Sequence, residues 1–124
     1  MARPGIRIVA AEPEVASWLT GEAWNPHKIQ GWTPDFVPAV LDRSGIDDVV
    51  TVSDLEARDA ARDLAAKEGI FCGVPAGGTF AAARRVAEQS PEGTVLLAML
   101  PDTGERYLST CLFEGINEGT DEVA

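Results

Sequence analysis

Apolar residues fall into two kinds of run along the chain. Four runs are short, almost wholly apolar and bounded by turn formers: Gly5 to Ala11, Asp48 to Ser53, Ile70 to Gly73 and Thr94 to Leu100. Their length and β-branched content predict buried strands near 6–11, 48–52, 70–73 and 94–100. Two longer stretches repeat at helical spacing instead. Ser53-Asp-Leu-Glu56 opens the first with a capping box, in which the serine hydroxyl and the glutamate carboxylate satisfy the first free amides. Ala57, Ala60, Ala61, Leu64 and Ala65 then form one stripe, and Gly69 is a natural stop. The second helix is expected to open at Gly77-Gly-Thr79, to turn Phe80, Ala83, Val86 and Ala87 inward, and to end near Ser90-Pro91. A shorter helix is predicted over Phe36 to Arg43, starting near Pro34 and ending by Gly45.

Strands that are apolar throughout, alternating with amphipathic helices, predict an α/β fold: a parallel sheet with helices on both faces. Ligands of such sheets bind at the carboxyl ends of the strands. Three segments fall there: the loop around Gln30, the loop Gly73 to Thr79, and the loop Pro101 to Glu105. Glu14 to Pro38 reads as one long irregular segment. It holds all three tryptophans, Trp18, Trp24 and Trp32, so it is expected to line something rather than to be disordered.

A length of 124 residues sets the scale at one domain, 1–124, with a polar, acidic tail over 114–124 expected to fray. Twenty acidic against 10 basic residues give a net charge of -10, which works against non-specific nucleic-acid binding. No run is long enough to span a bilayer, and the opening apolar stretch is too short for a signal-peptide core, so a cytoplasmic location is expected. Cys72 and Cys111 are the only cysteines and do not make a disulfide framework; with His27 as the single histidine, no metal site is expected.

The candidate chemistry lies in the three loops. Cys72-Gly-Val-Pro-Ala-Gly-Gly-Thr79 joins a strand to a helix, and its three glycines with a helix N-terminus would suit an anion or a heteroaromatic ring edge. Spacing alone favours the simpler reading, a tight turn that needs small residues. In Pro101-Asp-Thr-Gly-Glu-Arg-Tyr107 the groups Asp102, Glu105 and Arg106 could position a ligand, or merely cap a helix start. His27 has no nucleophile beside it and reads as structural. Cys72 reads as a small core residue rather than a nucleophile.

His27-Lys-Ile-Gln-Gly31, Glu68-Gly-Ile-Phe-Cys-Gly73 and Pro101-Asp-Thr-Gly-Glu-Arg-Tyr-Leu-Ser-Thr110, in this order and separation, carry a specific resemblance. From about Ile6 to about Gly119 the chain resembles the carboxyl-terminal part of a cysteine synthase, an O-acetylserine sulfhydrylase of the pyridoxal-phosphate β-family. The resemblance implies fold-type II architecture, with pyridoxal 5'-phosphate between two α/β domains. It implies replacement of the acetate of O-acetylserine by sulfide, giving cysteine. It places Gly73, Pro75, Pro101 and Asp102 at the cofactor and Gln30 and Gly31 in the substrate cleft, with no catalytic residue on this chain. It implies as partners the missing amino-terminal half or a homodimer partner, and serine acetyltransferase, whose tail enters the cleft in this family. A catalytically inactive module that pairs with such a chain is the alternative.

Departures from the pattern matter as much. The family's Schiff-base lysine belongs to the amino-terminal part; Lys28 and Lys67 are the only lysines here, and neither stands in its place. The phosphate cup and the Thr-Ser-Gly-Asn substrate loop have no counterpart in the sequence. Pro75 stands where relatives carry the serine that hydrogen-bonds the pyridine nitrogen, and proline offers no side-chain donor or acceptor. Ala76 is an acceptable small residue. Trp32-Thr-Pro-Asp35 replaces a glycine-rich stretch, and Cys111 stands where proline is expected.

Overall fold

The computed structural model describes residues 3–116. Two parallel strands, β1 (Val9–Pro13) and β2 (Asp48–Val52), pair in the register Val9 to Asp48 through Pro13 to Val52. Two helices follow β2: α1 (Asp54–Glu68) and α2 (Val74–Glu88). The parallel pairing and the α/β class agree with the apolar pattern. The boundaries of β2 match the sequence expectation, because its apolar run is bounded sharply by Asp47 and Ser53. Strand β1 lies later than expected. Ile6 and Ile8 are exposed, since β2 has no residues left to pair with them. Asp47 instead accepts a hydrogen bond from the Ile8 amide at 2.7 Å.

Helix α1 starts as the sequence dictates. The Ser53 hydroxyl accepts from the Glu56 amide at 3.1 Å and the Glu56 carboxylate accepts from the Ser53 amide at 2.8 Å. The helix stops at Gly69 in the left-handed conformation (φ 68°). Its buried stripe is Ala57, Ala60, Ala61 and Leu64. Helix α2 begins three residues earlier than predicted: Gly73 is its N-cap and Pro75 lies in the first turn, where a missing N–H costs nothing. The inward face is therefore Val74, Ala76 and Ala82 rather than Ala83 and Ala87; Ala87 is exposed. Small residues let the two helices approach closely. A Cβ on Gly77 would overlap the Ala57 carbonyl and reach 2.7 Å from the Ala61 Cβ. Helix α2 in turn packs against both strands, and the core joins Ile29, Val52, Leu64, Val74 and Leu112.

Three expectations about elements are corrected. Phe36 to Arg43 is not a helix; only a 3-10 turn at Arg43–Gly45 forms. Pro38 bars its predecessor Val37 from helical geometry and supplies no amide. Ile70 to Gly73 is not a strand; Cys72 makes a single antiparallel bridge to Thr103. Thr94 to Leu100 forms no strand and joins no sheet among the described residues. Of the tail expected to fray, 117–124 lies outside the described residues, while Arg62 Nη2 donates to the Glu114 carbonyl at 2.6 Å. No helix among the described residues is long and apolar enough to cross a membrane.

Candidate functional site

The first turn of α2 gathers the three segments that the sequence singles out. Gly73 has ordinary extended geometry (φ -87°, ψ 179°), so glycine is not needed there for its conformation. It is needed for space. A Cβ on Gly73 would overlap both the Asp102 carboxylate and the Tyr107 ring. With no side chain at the N-cap, α2 takes its cap from 26 residues away: Asp102 Oδ1 accepts from the Ala76 amide at 2.9 Å. The Cys72–Thr103 bridge and the bond from the Gly104 amide to the Phe71 carbonyl (3.1 Å) hold the 101–105 loop against this turn.

The second oxygen of Asp102, Oδ2, is buried without a hydrogen-bond partner. Tyr107 lies close enough to feel the carboxylate, yet its phenol does not reach hydrogen-bond geometry with Oδ2. Burial, reinforced by the Asp102 carboxylate, pushes the Tyr107 phenol up to about 12. Burial first, then the same carboxylate, also raises the Cys72 thiol. Cys72 is thus a buried, protonated core residue, unsuited to nucleophilic work.

The loop around Gln30 reaches the same end of the molecule. The Lys28 amide donates to Asp54 Oδ1 at 2.9 Å, in the first turn of α1, and a Cβ on Gly78 would come within 2.8 Å of the Trp32 ring. Ile29 is fully buried, while Gln30 and Gly31 between these anchors are exposed. His27 is structural, as its sequence context implies: Nδ1 accepts from the Ile29 amide at 3.3 Å, and Nε2 faces the Thr33 carbonyl at 3.0 Å. Those two contacts select the Nε2–H tautomer.

The tryptophan-rich loop, expected to line something rather than to be disordered, is ordered by its own indoles. Trp18 Nε1 donates to the Pro34 carbonyl at 2.8 Å and Trp24 Nε1 to the Thr33 carbonyl at 2.9 Å. The indoles tie the loop to itself, and Trp32 ties it to α2. Glu12 supports the loop from beneath, accepting from Ser17 Oγ at 2.6 Å and from the Leu19 amide at 3.0 Å. Arg62, whose guanidinium donates to the carbonyls of Cys111, Leu112 and Glu114, holds the last described segment on α1. No local pattern marks Glu12 or Arg62 in the sequence, because the fold decides where their partners lie, a hydroxyl and an amide for Glu12 and three carbonyls for Arg62. Lys67 pairs with Asp63 on the exposed end of α1 at 3.1 Å.

Two grooves of about 350 and 370 Å³ lie elsewhere, one between the outer faces of α1 and α2 and one beside β2. Neither includes a residue of the three loops.

A family model described as "Pyridoxal-phosphate dependent enzyme" matches residues 1–102. The chain belongs to this family. Among members with curated names, O-ureido-L-serine synthase from Streptomyces lavendulae is 62% identical over 122 residues, which is 98% of this chain and 38% of the relative. Cysteine synthase from Staphylococcus aureus is 38% identical over 110 residues, 89% of this chain and 36% of the relative. A crystal structure of O-ureido-L-serine synthase with O-ureido-L-serine bound matches with a TM-score of 0.93, covering 98% of this chain and 38% of that one. A cysteine synthase from Entamoeba histolytica matches with a TM-score of 0.88 at 36% identity, covering 96% and 36%. The chain therefore has the fold of one portion of fold-type II pyridoxal-phosphate enzymes of the cysteine synthase family, and spans less than two-fifths of the length of these relatives.

Whether the residues here seat the ring nitrogen of such a cofactor is a question of free polar atoms. Pro75 is buried and has none. Asp102 spends Oδ1 on the Ala76 amide and encloses Oδ2 against Gly73 and Tyr107. The gaps beside Gly77 and Gly78 are filled by α1 and by Trp32, not left for a ligand. Pro75 therefore offers the ring nitrogen no side-chain hydrogen bond, while Asp102 Oδ2 is unpartnered but enclosed.

Proposed function

We infer that this chain is the carboxyl-terminal cleft wall of a pyridoxal-phosphate-dependent enzyme that replaces the β-substituent of an activated L-serine, and that its product is of the O-ureido-L-serine kind rather than cysteine. The observation that carries this reading is the 62% identity to O-ureido-L-serine synthase over 98% of the chain, against 38% to cysteine synthase. In this family the cofactor supplies the electron sink. The residues of this chain act as scaffold. Asp102 fixes the N-terminal turn of α2, and Trp32 and Lys28 anchor the exposed Gln30–Gly31 turn beside it. The lysine and the phosphate-binding groups come from the remainder of the fold.

The test combines this chain with the part of the S. lavendulae synthase that it does not span, in the presence of pyridoxal phosphate. An O-linked ureido group requires a hydroxyurea oxygen as nucleophile. The expected outcome is O-ureido-L-serine from O-acetyl-L-serine and hydroxyurea, detected by mass spectrometry, at a higher rate than cysteine from sulfide. Cysteine as the faster product would move the chain to the cysteine synthase branch.

One observation favours a second reading, a module that pairs with another chain such as serine acetyltransferase without turnover: the buried proline at position 75, which offers no side-chain donor or acceptor. Binding of a serine acetyltransferase tail peptide, with no product from either nucleophile, would establish it.

A further inference from the structure

Arg62 projects from α1, and its guanidinium takes three main-chain acceptors from one segment. Nε donates to the Leu112 carbonyl at 2.6 Å, and Nη2 donates to the carbonyls of Cys111 and Glu114 at 3.3 and 2.6 Å. No carboxylate pairs with it among the described residues. A planar fork can hold several carbonyls at once, where the point charge of a lysine cannot. The held segment leads back to the candidate site. The Leu112 amide donates to Thr110 Oγ1 at 3.4 Å, and Thr110 Oγ1 donates to the Tyr107 carbonyl at 2.7 Å. The Tyr107 ring and the Asp102 carboxylate both stand where a Cβ on Gly73 would be.

A second route runs through aromatic rings. Phe113, next to Leu112, packs on Phe71 with ring centroids 5.7 Å apart. Phe71 lies against Gly104, where a Cβ would overlap its ring, and its carbonyl accepts from the Gly104 amide. Both routes close on the 101–107 segment, which supplies the Asp102 cap of α2. That segment joins no sheet; its one backbone bridge is Cys72 to Thr103. Its position therefore depends on the side chains packed behind it. We propose that Arg62 is a positioning residue for the cleft wall: by holding the 111–114 carbonyls it fixes Tyr107 and Asp102 against the first turn of α2. Arg62 acts through Thr110 and Phe113, not by touching that turn. The proposal rests on the functional reading above for calling the turn a cleft wall.

The Ala76 amide, held by Asp102, reports where that carboxylate stands. The experiment follows residue-resolved amide exchange by NMR in the full chain. Arg62→Gln should speed exchange at Ala76 and Gly104 at least about tenfold, while amides of β2 and of the body of α1 keep their rates. Arg62→Lys keeps the charge but not the fork and should act the same way; it decides the matter if Arg62→Gln does not fold. Arg58→Gln is the control, because Arg58 pairs only with its exposed neighbour Asp59 and its loss should leave Ala76 unmoved. In the combined preparation described above, Arg62→Gln should lower the rate of product formation by about ten- to a hundredfold, as expected of a displaced site. Unchanged exchange at Ala76, equal acceleration at every amide in both Arg62 variants, or an unchanged product rate would each overturn the proposal. Faster exchange at Ala76 in the variants, with no product from the parent chain, upholds the positioning of Asp102 and defeats the functional reading. Product from the parent chain, with Ala76 unmoved in the variants, does the reverse.

Discussion

Gly73 and Asp102 act as one unit. The glycine is needed because the carboxylate stands where its Cβ would be, and the carboxylate is needed because the glycine cannot cap α2. Gly73→Ala should therefore cost about 1–3 kcal/mol, through overpacking and loss of the cap. In an Asp102→Ala background the same substitution should cost less, since only the Tyr107 ring then remains in the way. Urea unfolding of the two single variants and the double variant measures this coupling. Tyr107 provides a second probe, as the only tyrosine in the chain. Its phenol ionises at about 12 in the folded protein against the ordinary 10. A raised value means that the folded state favours the neutral phenol. Its contribution to stability is fully present below pH 10 and is lost as pH rises through 12. Titrating the tyrosinate absorbance should give a midpoint displaced upward, and Asp102→Asn should bring it back down.

At the scale of elements, the α1–α2 contact sets the architecture around the candidate site. Gly77→Ala gains about 1 kcal/mol of helix propensity but drives a methyl group into the Ala57 carbonyl, a main-chain atom that cannot yield, at about 1–3 kcal/mol. Net destabilisation is expected, read as a lower urea midpoint with an unchanged slope. The N-terminus of α1 carries a pH dependence of opposite sign to that of Tyr107. The Ser53 amide bond holds the Glu56 carboxyl below its usual range, and Arg85, paired with Glu56, adds to the effect. A lowered value means that the stabilisation is present above the unfolded-state pKa and fades as pH falls through the folded one. Glu56→Gln should flatten the acid limb of the stability profile, and Ser53→Ala should cost about 1 kcal/mol at neutral pH.

For the whole molecule, exposed apolar surface is the dominant feature. Phe36, Val40, Val95, Leu97, Met99 and Leu108 are each more than three-fifths exposed. Three of them, Val95, Leu97 and Met99, stand in one apolar run. The free chain should bind a hydrophobic dye, and Val95→Lys with Leu97→Lys should remove much of that fluorescence while the far-UV spectrum stays unchanged. Amides of 95–100 should exchange near unfolded-chain rates while those of α1 and α2 are protected. Equal protection of all three would contradict the unpaired state of 95–100 among the described residues.

Some of this was legible without coordinates, because it is local. The capping box at Ser53–Glu56, the glycine stop at Gly69 and the bounded apolar run of β2 depend on neighbours in sequence, and so did the three motifs that pointed to the family. The remainder depends on partners far along the chain. Gly73 and Gly77 look like ligand-binding glycines until Asp102 and Ala57 are seen filling the space beside them. Glu12, Arg62 and Arg85 look like surface charge until their partners are brought to them: Ser17 and the Leu19 amide for Glu12, the 111–114 carbonyls for Arg62, and the Thr51 carbonyl, 2.6 Å away, for Arg85. Pro75 lies ahead of the helix opening expected at Gly77, yet stands inside the first turn of α2. The apolar runs at 70–73 and 94–100 have the composition of strands. A strand, however, is a relation between two segments, and composition cannot supply the second one. Tertiary structure decides it, because the hydrogen bonds that make an extended segment a strand belong to the partner as much as to the segment itself.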